Sequence, residues 1–304
     1  MRKDEYKEAL AGLLYQGDDR IGEGELDVRK LEYAYSWYDF AQAAKNDHYY
    51  DPASGTYKGG FVINAEGEKE AIKGRSSFIM KKKVKVYPDT LCWLKDLTYA
   101  YNEPFVREYF SHIGYDNYPV VGVNWHQAQA FCNWRTQYFN SNAGVRVQAW
   151  RLPNEVEWEY AARGGLSGAK YPWGGPYTRN KKGCFLANFK PLRGNYISDG
   201  GFTTVPVGTY EPNGFGLYDM AGNVAEWTGD AFDESAYQVT HDLSPYYQIT
   251  AKKSDNKILK RKVIRGGSWK DIAYFMQCGV RTYEYADSAR SFIGFRTVRT
   301  RIEY

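Results

Sequence analysis

Cysteine is scarce in this sequence, and its spacing excludes several kinds of site. The 304 residues include four cysteines, and none forms the CxxC or CxxH pattern of zinc and thioredoxin-like sites. Two interpretations of the cysteines remain open: they form two disulfides, or all four are buried thiols. Histidine is equally scarce, with four residues, and no motif would orient an imidazole beside Cys278, which argues against a cysteine hydrolase. The cysteines are Cys92, Cys132, Cys184 and Cys278.

Long apolar runs are also missing. No span of about 18 consecutive apolar residues occurs, so the sequence predicts no transmembrane helix. The first residues, MRKDEYKEALAGLL, lack the apolar run and the small-residue cleavage site of a secretory signal. We therefore expect a soluble, untargeted region, either a mature protein or a fragment of a longer one.

A concentrated basic patch is absent from the sequence. The net charge is +4, and Lys and Arg are scattered among Asp and Glu except at 81–83. Nucleic-acid binders gather cations because they neutralise several phosphates at once, so we expect no nucleic-acid partner. Aromatic residues, in contrast, make up 17% of the chain, which favours either a loop-rich core of large rings or large protein contacts.

The first hundred residues predict small elements. Ser36 is the expected N-cap of a short amphipathic helix in SWYDFAQAAKN, whose apolar residues fall on one helical face. Residues 57–72 alternate around NAEGE and predict a hairpin with its turn near Glu66 and Gly67. The following segment, SSFIMKKKVKVYPDTLCW, predicts an extended stretch that ends at Pro88.

Two well-capped helices are predicted further along. After Pro119 we expect a short buried strand, and then a helix in which Asn124 and Gln127 form a capping box. The stretch RLPNEVEWEYAARGG repeats this pattern with Asn154 and Glu157, and its double glycine predicts a left-handed helix end. A long loop is expected to follow these helices.

Residues 164–223 show no regular periodicity and are rich in Gly, Pro, Asn and aromatic residues. A loop of this length inside a compact domain is usually functional or ordered by a ligand. Its side-chain oxygens interleaved with glycines suit calcium, which takes about 6–8 oxygen ligands. The same residues could also cap turns. The oxygen-bearing residues are Asn188, Asp199, Asp219, Asn223 and Glu226.

Six motifs carry a family resemblance. In order they are YPVVGVNWHQAQAFCNWR, RLPNEVEWEYAARGG, YPWGG, PNGFGLYDMAGNVAEWTGD, RGGSW and IGFRTVRT. The region from about 119 to 299 thereby resembles the formylglycine-generating-enzyme, or sulfatase-modifying-factor, superfamily. The resemblance implies an α+β fold related to C-type lectins, loop-rich and with little regular secondary structure. We expect residues 113–304 to form this domain, with 1–112 as an N-terminal portion that contains a group-specific insertion and packs on it.

The same resemblance implies two calcium ions that brace the long loop. One would be held by the Asn188 side chain, the Phe189 carbonyl, Asp199 and the Gly201 carbonyl. The other would be held by Asp219, the Gly222 and Val224 carbonyls and Glu226. These ions would have a structural role, not a catalytic one.

Enzymes of this family oxidise a substrate cysteine to formylglycine with copper(I) and oxygen, using two cysteines five residues apart after Gly-Gly-Ser. Copper(I) is soft and needs both thiolates. Counting forward from GGS places the pair on Asp271 and Met276, and counting back from GFR places it on Ser268 and Ala273. Neither register contains a cysteine, and Cys278 lies outside both. We therefore expect no copper, no catalytic residue and no enzyme activity.

A narrower resemblance extends over nearly the whole chain. Segments such as ELDVRKLEYAYSWYDFAQAAK, GCFLANFKPLRGNYISDGG and KRKVIRGGSWKDIAYFMQ are similar to gliding-motility and type IX secretion lipoproteins of the GldK/PorK type. This resemblance implies a non-catalytic lipoprotein of the outer membrane that faces the periplasm. It would self-associate in a large ring with a GldN/PorN-type partner and contact other secretion-system components. The lipid anchor would lie outside this chain.

Two alternatives stay open. One is an active copper-dependent formylglycine-generating oxidase. The other is a glycan- or peptidoglycan-binding module, which the aromatic richness and the lectin-related fold favour, with Trp173 and Tyr177 as candidate contacts. For the ring reading, we expect residues 34–112 to supply the contacts.

Overall fold

The computed structural model describes residues 10–15, 26–98, 102–144, 146–192, 197, 201–240 and 245–300. The helices are α1 Phe40–Ala43, α2 Cys92–Asp96, α3 Glu103–Glu108, α4 Trp125–Asn142, α5 Glu155–Arg163 and α6 Ala236–Val239. The strands are β1 Glu32–Tyr38, β2 Tyr50–Asp51, β3 Thr56–Tyr57, β4 Phe61–Ile63, β5 Lys69–Ala71, β6 Ile79–Lys85, β7 Ala225–Ala231, β8 Arg261–Arg265, β9 Thr282–Tyr285 and β10 Ile293–Phe295. Within these described ranges, no helix is long and apolar enough to cross a bilayer.

A four-stranded sheet forms the centre of the fold. Its order is β10-β7-β8-β9, with β7, β8 and β9 antiparallel and β10 parallel to β7. Every residue of β7 is buried, because β7 has neighbours on both edges and on its faces. Trp227, on β7, packs with Ala128 and Cys132 of α4 and with Ile293 of β10 in one apolar cluster.

The two long helices begin where the sequence predicts. The Asn124 side chain accepts from the Gln127 N–H at 2.9 Å, and the Gln127 side chain accepts from the Asn124 N–H at 2.9 Å. Asn154 and Glu157 form the same reciprocal pair at α5. Gly164 ends α5 at φ 57°, in the left-handed region that glycine tolerates. Both capping boxes and the glycine end are confirmed.

The predicted helix at Ser36 is wrong. Ser36 lies inside β1, which pairs along its length with β6, and only Phe40–Ala43 is helical, capped by Asp39. The aromatic residues at alternate positions of β1 decide this outcome: Tyr35 stacks on the Trp37 ring at 5.4 Å between centroids, and the strand packs against α4. Period-two aromatic contacts with a neighbouring helix thus override the local helical pattern.

Of the other short elements that the sequence predicts, two are formed and one is not. The hairpin in 57–72 is confirmed, since β4 pairs antiparallel with β5 around Glu66 and Gly67. The extended stretch before Pro88 is β6. The strand predicted after Pro119 is not formed, because the segment makes only single backbone hydrogen bonds, from the Gly122 N–H to the Arg290 carbonyl and from the Asp89 N–H to the Gly122 carbonyl, and no ladder.

The long loop behaves as predicted. Described residues between Gly164 and Val224 contain no helix or strand beyond an isolated bridge, Arg179 to Phe185. The loop leads directly into β7, so its last residues are delivered to the centre of the sheet. Asn223 secures this entry: its side chain accepts from the Val205 N–H at 3.0 Å and donates to the Val205 carbonyl at 3.1 Å.

Candidate functional site

The four thiols lie in four different surroundings. Cys92, Cys132 and Cys278 are buried in three separate apolar clusters, whereas Cys184 is exposed. All four cysteines are free, but because Cys184 is exposed the arrangement is neither two disulfides nor four buried thiols. Burial raises the pKa of the Cys278 thiol to about 11. A thiol that stays protonated at neutral pH is a poor nucleophile and a poor metal ligand, so Cys278 acts as a packing residue.

Ser268 and Asp271, one from each of the two registers considered for the cysteine pair, are hydrogen-bonded to each other in the structure. Ser268 is fully buried, and its hydroxyl donates to Asp271 Oδ2 at 2.6 Å. Burial raises the pKa of Asp271. The Asp271 carbonyl accepts from the Lys190 N–H at 2.8 Å, which ties this segment to the long loop. The pair can hold a proton, but it offers no soft ligand for copper(I).

Gly267 forces the shape of this segment. Its φ is 65°, and a Cβ there would stand 2.8 Å from the Phe275 carbonyl carbon. Only glycine permits both the left-handed backbone and this close approach. The chain therefore folds back, so that Met276 is fully buried against the loop cluster of Tyr171 and Phe189.

A buried ion-pair network holds the segment that contains Cys278. Arg265, at the end of β8, is 1% exposed, and it donates to the Cys278 carbonyl at 2.6 Å and to the Val280 carbonyl at 2.9 Å. Its charge is balanced by Glu159, 2.5 Å away, and by Glu155, 3.3 Å away. The arginine of RGGS thus has a scaffold role in this protein.

The first predicted calcium set is placed in part. Asn188 and Phe189 are buried, and Gly201 is described, but Asp199 lies outside the described residues. The Asn188 Nδ2 donates to the Thr203 carbonyl at 2.7 Å. This bond fixes the amide so that its oxygen faces away from Thr203. Whether the set binds a metal stays a prediction.

The second predicted set surrounds a pair of carboxylates. Asp219 has φ 54°, an uncommon conformation for a residue with a side chain, and its Oδ2 accepts from the Gly208 N–H at 2.8 Å. Burial raises the pKa of Asp219, and the nearby Glu226 carboxylate raises it further. Gly222, at φ 76°, approaches the Asn188 carbonyl so closely that a Cβ would stand 2.4 Å from that oxygen. The backbone therefore links the two predicted sets.

Glu226 already has a cationic partner that the sequence did not reveal. Arg296 Nε lies 2.5 Å from Glu226 Oε2, and Arg296 Nη2 lies 2.6 Å from Oε1. Trp158 Nε1 also donates to Oε2 at 2.7 Å. The GFR motif marks Arg296 in the sequence, but no local pattern connects Arg296 with Glu226, which lies 70 positions earlier.

Calcium fits this set in its donor chemistry. Arg296 pairs with the Glu226 carboxylate and reaches only the backbone carbonyl of Asp219, so the Asp219 carboxylate has no ion-pair partner of its own among the described residues and a cation would balance it. Carboxylate and carbonyl oxygens are the ligands that calcium takes, and calcium would share Glu226 with Arg296. No group of three or more His, Cys, Asp or Glu side chains suited to a metal occurs in the described part of the chain, so carbonyl oxygens would have to complete the coordination.

The fold and these contacts define a loop-rich α+β domain in which contacts with the central sheet hold the long loop in place. The chain belongs to the sulfatase-modifying-factor family: the family profile "Sulfatase-modifying factor enzyme 1-like domain" matches residues 76–301. This match confirms the predicted fold class and the broader of the two resemblances. The boundary expected at residue 113 stays a prediction.

Similar proteins include some named as enzymes and some named as inactive. "Formylglycine-generating enzyme" of Streptomyces coelicolor is 35% identical over 189 residues, covering 60% of this chain and 53% of that protein. The protein of the same name from Mus musculus is 37% identical over 186 residues, covering 59% and 44%. "Inactive C-alpha-formylglycine-generating enzyme 2" of Bos taurus is 35% identical over 185 residues, covering 59% and 49%. The chain spans about half the length of these relatives.

Among solved structures, PvdO from Pseudomonas aeruginosa aligns with a TM-score of 0.48 and 27% sequence identity, covering 60% of this chain and 62% of that chain. CarF aligns with a TM-score of 0.44 and 26% identity, covering 62% and 70%.

Proposed function

We propose that this protein is a non-catalytic structural subunit of a type IX secretion or gliding-motility assembly. The observation that carries the non-catalytic part is the segment after Gly267. Both registers of the family's cysteine pair fall on other residues, and Cys278 is a buried, protonated thiol in an apolar cluster. Relatives whose names call them inactive are compatible with this reading.

Mass spectrometry tests the lack of catalysis. The protein is incubated with a cysteine-containing peptide, copper and oxygen, and a formylglycine-generating enzyme serves as the positive control. We expect the peptide to keep its thiol, because no pair of thiolates can bind copper(I). An aldehyde on the peptide would refute the proposal and restore the copper-dependent oxidase as the function.

The assembly role rests on the narrower sequence resemblance. In it, the protein would face the periplasm, be anchored to the outer membrane by a lipid outside this chain, and form a ring with a GldN/PorN-type partner and other secretion-system components. The structure supports a contact role for residues 34–112 through exposed aromatic side chains. Phe40 is 75% exposed, and its ring lies 4.8 Å from that of Tyr38. Exposed aromatic clusters commonly mark protein contacts.

Co-purification with a GldN/PorN-type partner tests this role. Removing residues 57–72 should abolish co-assembly and leave the calcium-braced core folded, although it also strips apolar cover from Phe78. Phe40→Glu is the milder variant, and we expect it to weaken co-assembly because it places a charge in the contact. Val239→Glu, which alters another exposed apolar residue on α6, is the matched control. Intact rings with both the deletion and Phe40→Glu would contradict the assignment of the contacts.

We also propose that calcium braces the loop. The support is the net negative charge at Asp219 and Glu226 and the backbone link to Asn188 described above. Isothermal titration of chelated protein with calcium should show binding, and Asp219→Ala should abolish the part due to the second set. A parent protein that takes up no calcium would end this part of the proposal.

A glycan-binding module is the second candidate function, and one surface favours it. The buried Tyr171 ring supports the partly buried Trp173 ring from behind, with 4.9 Å between ring centroids and 12° between planes. Trp173 Nε1 donates to the carbonyl of Tyr177, whose side chain is largely exposed. Flat exposed rings can stack on sugars as they do on other planar or apolar groups. Retention on peptidoglycan that is lost in Trp173→Ala or Tyr177→Ala would favour this candidate.

A further inference from the structure

The fold joins the basic run at 81–85 to cations from distant parts of the chain. A cleft of about 930 Å³ lies between β6, the start of α4 and residues 287–290. Six cationic side chains and only two carboxylates, Asp89 and Asp287, line it. This excess of positive charge equals the net charge of the entire chain, +4. The cations are Arg29, Lys82, Lys83, Lys85, Lys95 and Arg290.

Four of these cations already have an acidic partner. The pairs are Arg29 with Asp27, Lys83 with Glu32, Lys95 with Asp89, and Arg290 with Glu284. Lys82 and Lys85 have no carboxylate within 4 Å among the residues that the structure describes. Lys82 and Lys85 are therefore the two lysines of this cleft that no close ion pair occupies. They lie three residues apart on one strand, so their side chains project from its opposite faces. At about 3.3 Å per residue, this spacing is about 10 Å.

The same strand has an open backbone edge. In the sheet formed by β1 and β6, the N–H of Val86 donates to the Leu31 carbonyl, and the N–H of Asp39 donates to the Phe78 carbonyl. Both bonds belong to the same register. In an antiparallel pair, hydrogen-bonded residues alternate, so the even-numbered residues of β6 bond to β1. The N–H and C=O groups of the odd-numbered residues point away from β1.

Part of this edge faces the cleft. The Lys85 carbonyl, which lies on it, accepts from Gln127 Nε2 at 3.0 Å, and Gln127 lines the cleft. Two residues earlier, Lys83 presents its N–H and C=O on the same edge, and no other described element hydrogen-bonds to them. An extended chain could therefore pair with β6 at Lys83 while its side chains reach Lys82 and Lys85.

We propose that this cleft binds an extended acidic segment of a partner protein, which adds a strand to the edge of β6 and places carboxylates three residues apart against Lys82 and Lys85. Charge complementarity selects an acidic occupant. The cations follow a strand instead of converging on one point, and both arginines already hold carboxylates, which disfavours a single phosphate group. Asp287, which lies 3.4 Å from His126, also interacts with the Lys82 charge, so an acidic segment has to displace this interaction at Lys82.

Fluorescence anisotropy with the labelled peptide GTVEVTEVTG tests the proposal. Its two glutamates have the required spacing, and its alternating residues favour an extended chain. We expect binding that falls by at least about tenfold in Lys82→Glu/Lys85→Glu, because two attractive contacts become repulsive. The matched control is Lys181→Glu/Lys182→Glu, which changes the net charge equally at exposed positions outside the cleft and should bind like the parent. Circular dichroism verifies that both variants are folded.

A second peptide isolates the role of the strand edge. Methylating alternate backbone nitrogens of the same peptide keeps both carboxylates and removes the hydrogen bonds of an added strand, so binding should be lost. Equal binding of the methylated peptide would overturn the proposal. The proposal would also be overturned if the unmethylated peptide did not bind at about 1 mM. It would be overturned as well if duplex DNA or inorganic phosphate bound as tightly as the peptide and lost binding equally in Lys82→Glu/Lys85→Glu.

This inference rests on the proposed function only for the existence of a partner protein. Because the peptide is tested without the assembly, a failure here would leave co-purification with the ring partner unchanged, whereas a failure of the assembly role would leave peptide binding unchanged.

Discussion

Lys262 provides a prediction whose magnitude follows from the structure. This residue lies on β8 and is 8% exposed. Its Nζ is 4.1 Å from the centre of the Trp125 ring and 3.4 Å from Gln248 Oε1. Burial lowers the pKa of Lys262 from 10.5 to about 8, and the Asp230 carboxylate only partly opposes this effect. The folded protein therefore holds the charged lysine at a cost.

The sign of the pH dependence follows from proton binding. Between about pH 8 and the ordinary value of 10.5, the unfolded chain keeps a proton on Lys262 that the folded chain releases. The free energy of unfolding then rises with pH. This gain in the free energy of unfolding is complete above the pKa that Lys262 has in the unfolded chain. It is lost as the pH falls through the pKa that Lys262 has in the folded chain. At about 1.4 kcal/mol per pH unit, the whole effect is on the order of 3 kcal/mol.

Lys262→Met removes this titration and keeps most of the apolar stem on Trp125. In urea unfolding followed by tryptophan fluorescence, the parent should gain stability relative to the variant by about 1–2 kcal/mol between about pH 8 and pH 9.5. Near pH 7.5 the variant should be at least as stable as the parent, because replacing a buried charge by an apolar group is often neutral or favourable. Lys181→Met, at an exposed position, should track the parent throughout. Parallel parent and Lys262→Met curves would refute the reasoning.

Three further results are expected. Asp219→Ala should lower the melting temperature in calcium by about 4 °C and remove its calcium dependence, since ligand at 100 times Kd contributes about 2.7 kcal/mol. A parent melting curve unmoved by chelator would contradict this. Glu155→Gln should cost about 3–5 kcal/mol in urea unfolding, because Arg281 loses its two-point carboxylate partner and Arg265 loses a second one. Glu103→Gln on the surface should cost less than about 1 kcal/mol, and similar losses in the two variants would show that the buried network adds nothing. When the folded protein is treated with a thiol reagent, Cys184 should be the first and only cysteine to react. The other three thiols are buried, and burial raises their pKa values. Fast labelling of a second cysteine would contradict the packing role of these three residues.

The parts of the fold that the sequence predicted are those held by near neighbours. The caps at Asn124 and Asn154 join residues three positions apart, so their signature is visible in any short window. The β4–β5 hairpin likewise depends on a turn of a few residues around Gly67. Local hydrogen bonds of this kind need no knowledge of the rest of the chain.

The segment around Ser36 shows the opposite case. Its spacing suits a helix, but its aromatic rings are satisfied by α4, about a hundred positions away: the Tyr33 hydroxyl donates to Asn133 Oδ1 at 2.9 Å. Pairing with β6 then fixes the strand. Only packing between distant segments decides between two local patterns that the sequence allows equally.

By itself, the sequence determined the family and the loss of the cysteine pair, because both are properties of residue identity at fixed spacing. The tertiary structure alone decided which charges meet. Glu226 and Arg296 lie 70 positions apart and form the closest contact at the predicted metal set. Arg29 and Arg290, which are far apart in the chain, line one cleft together with the lysines of residues 82–95. Electrostatic energy depends on distance in space, and that distance exists only after the chain has folded.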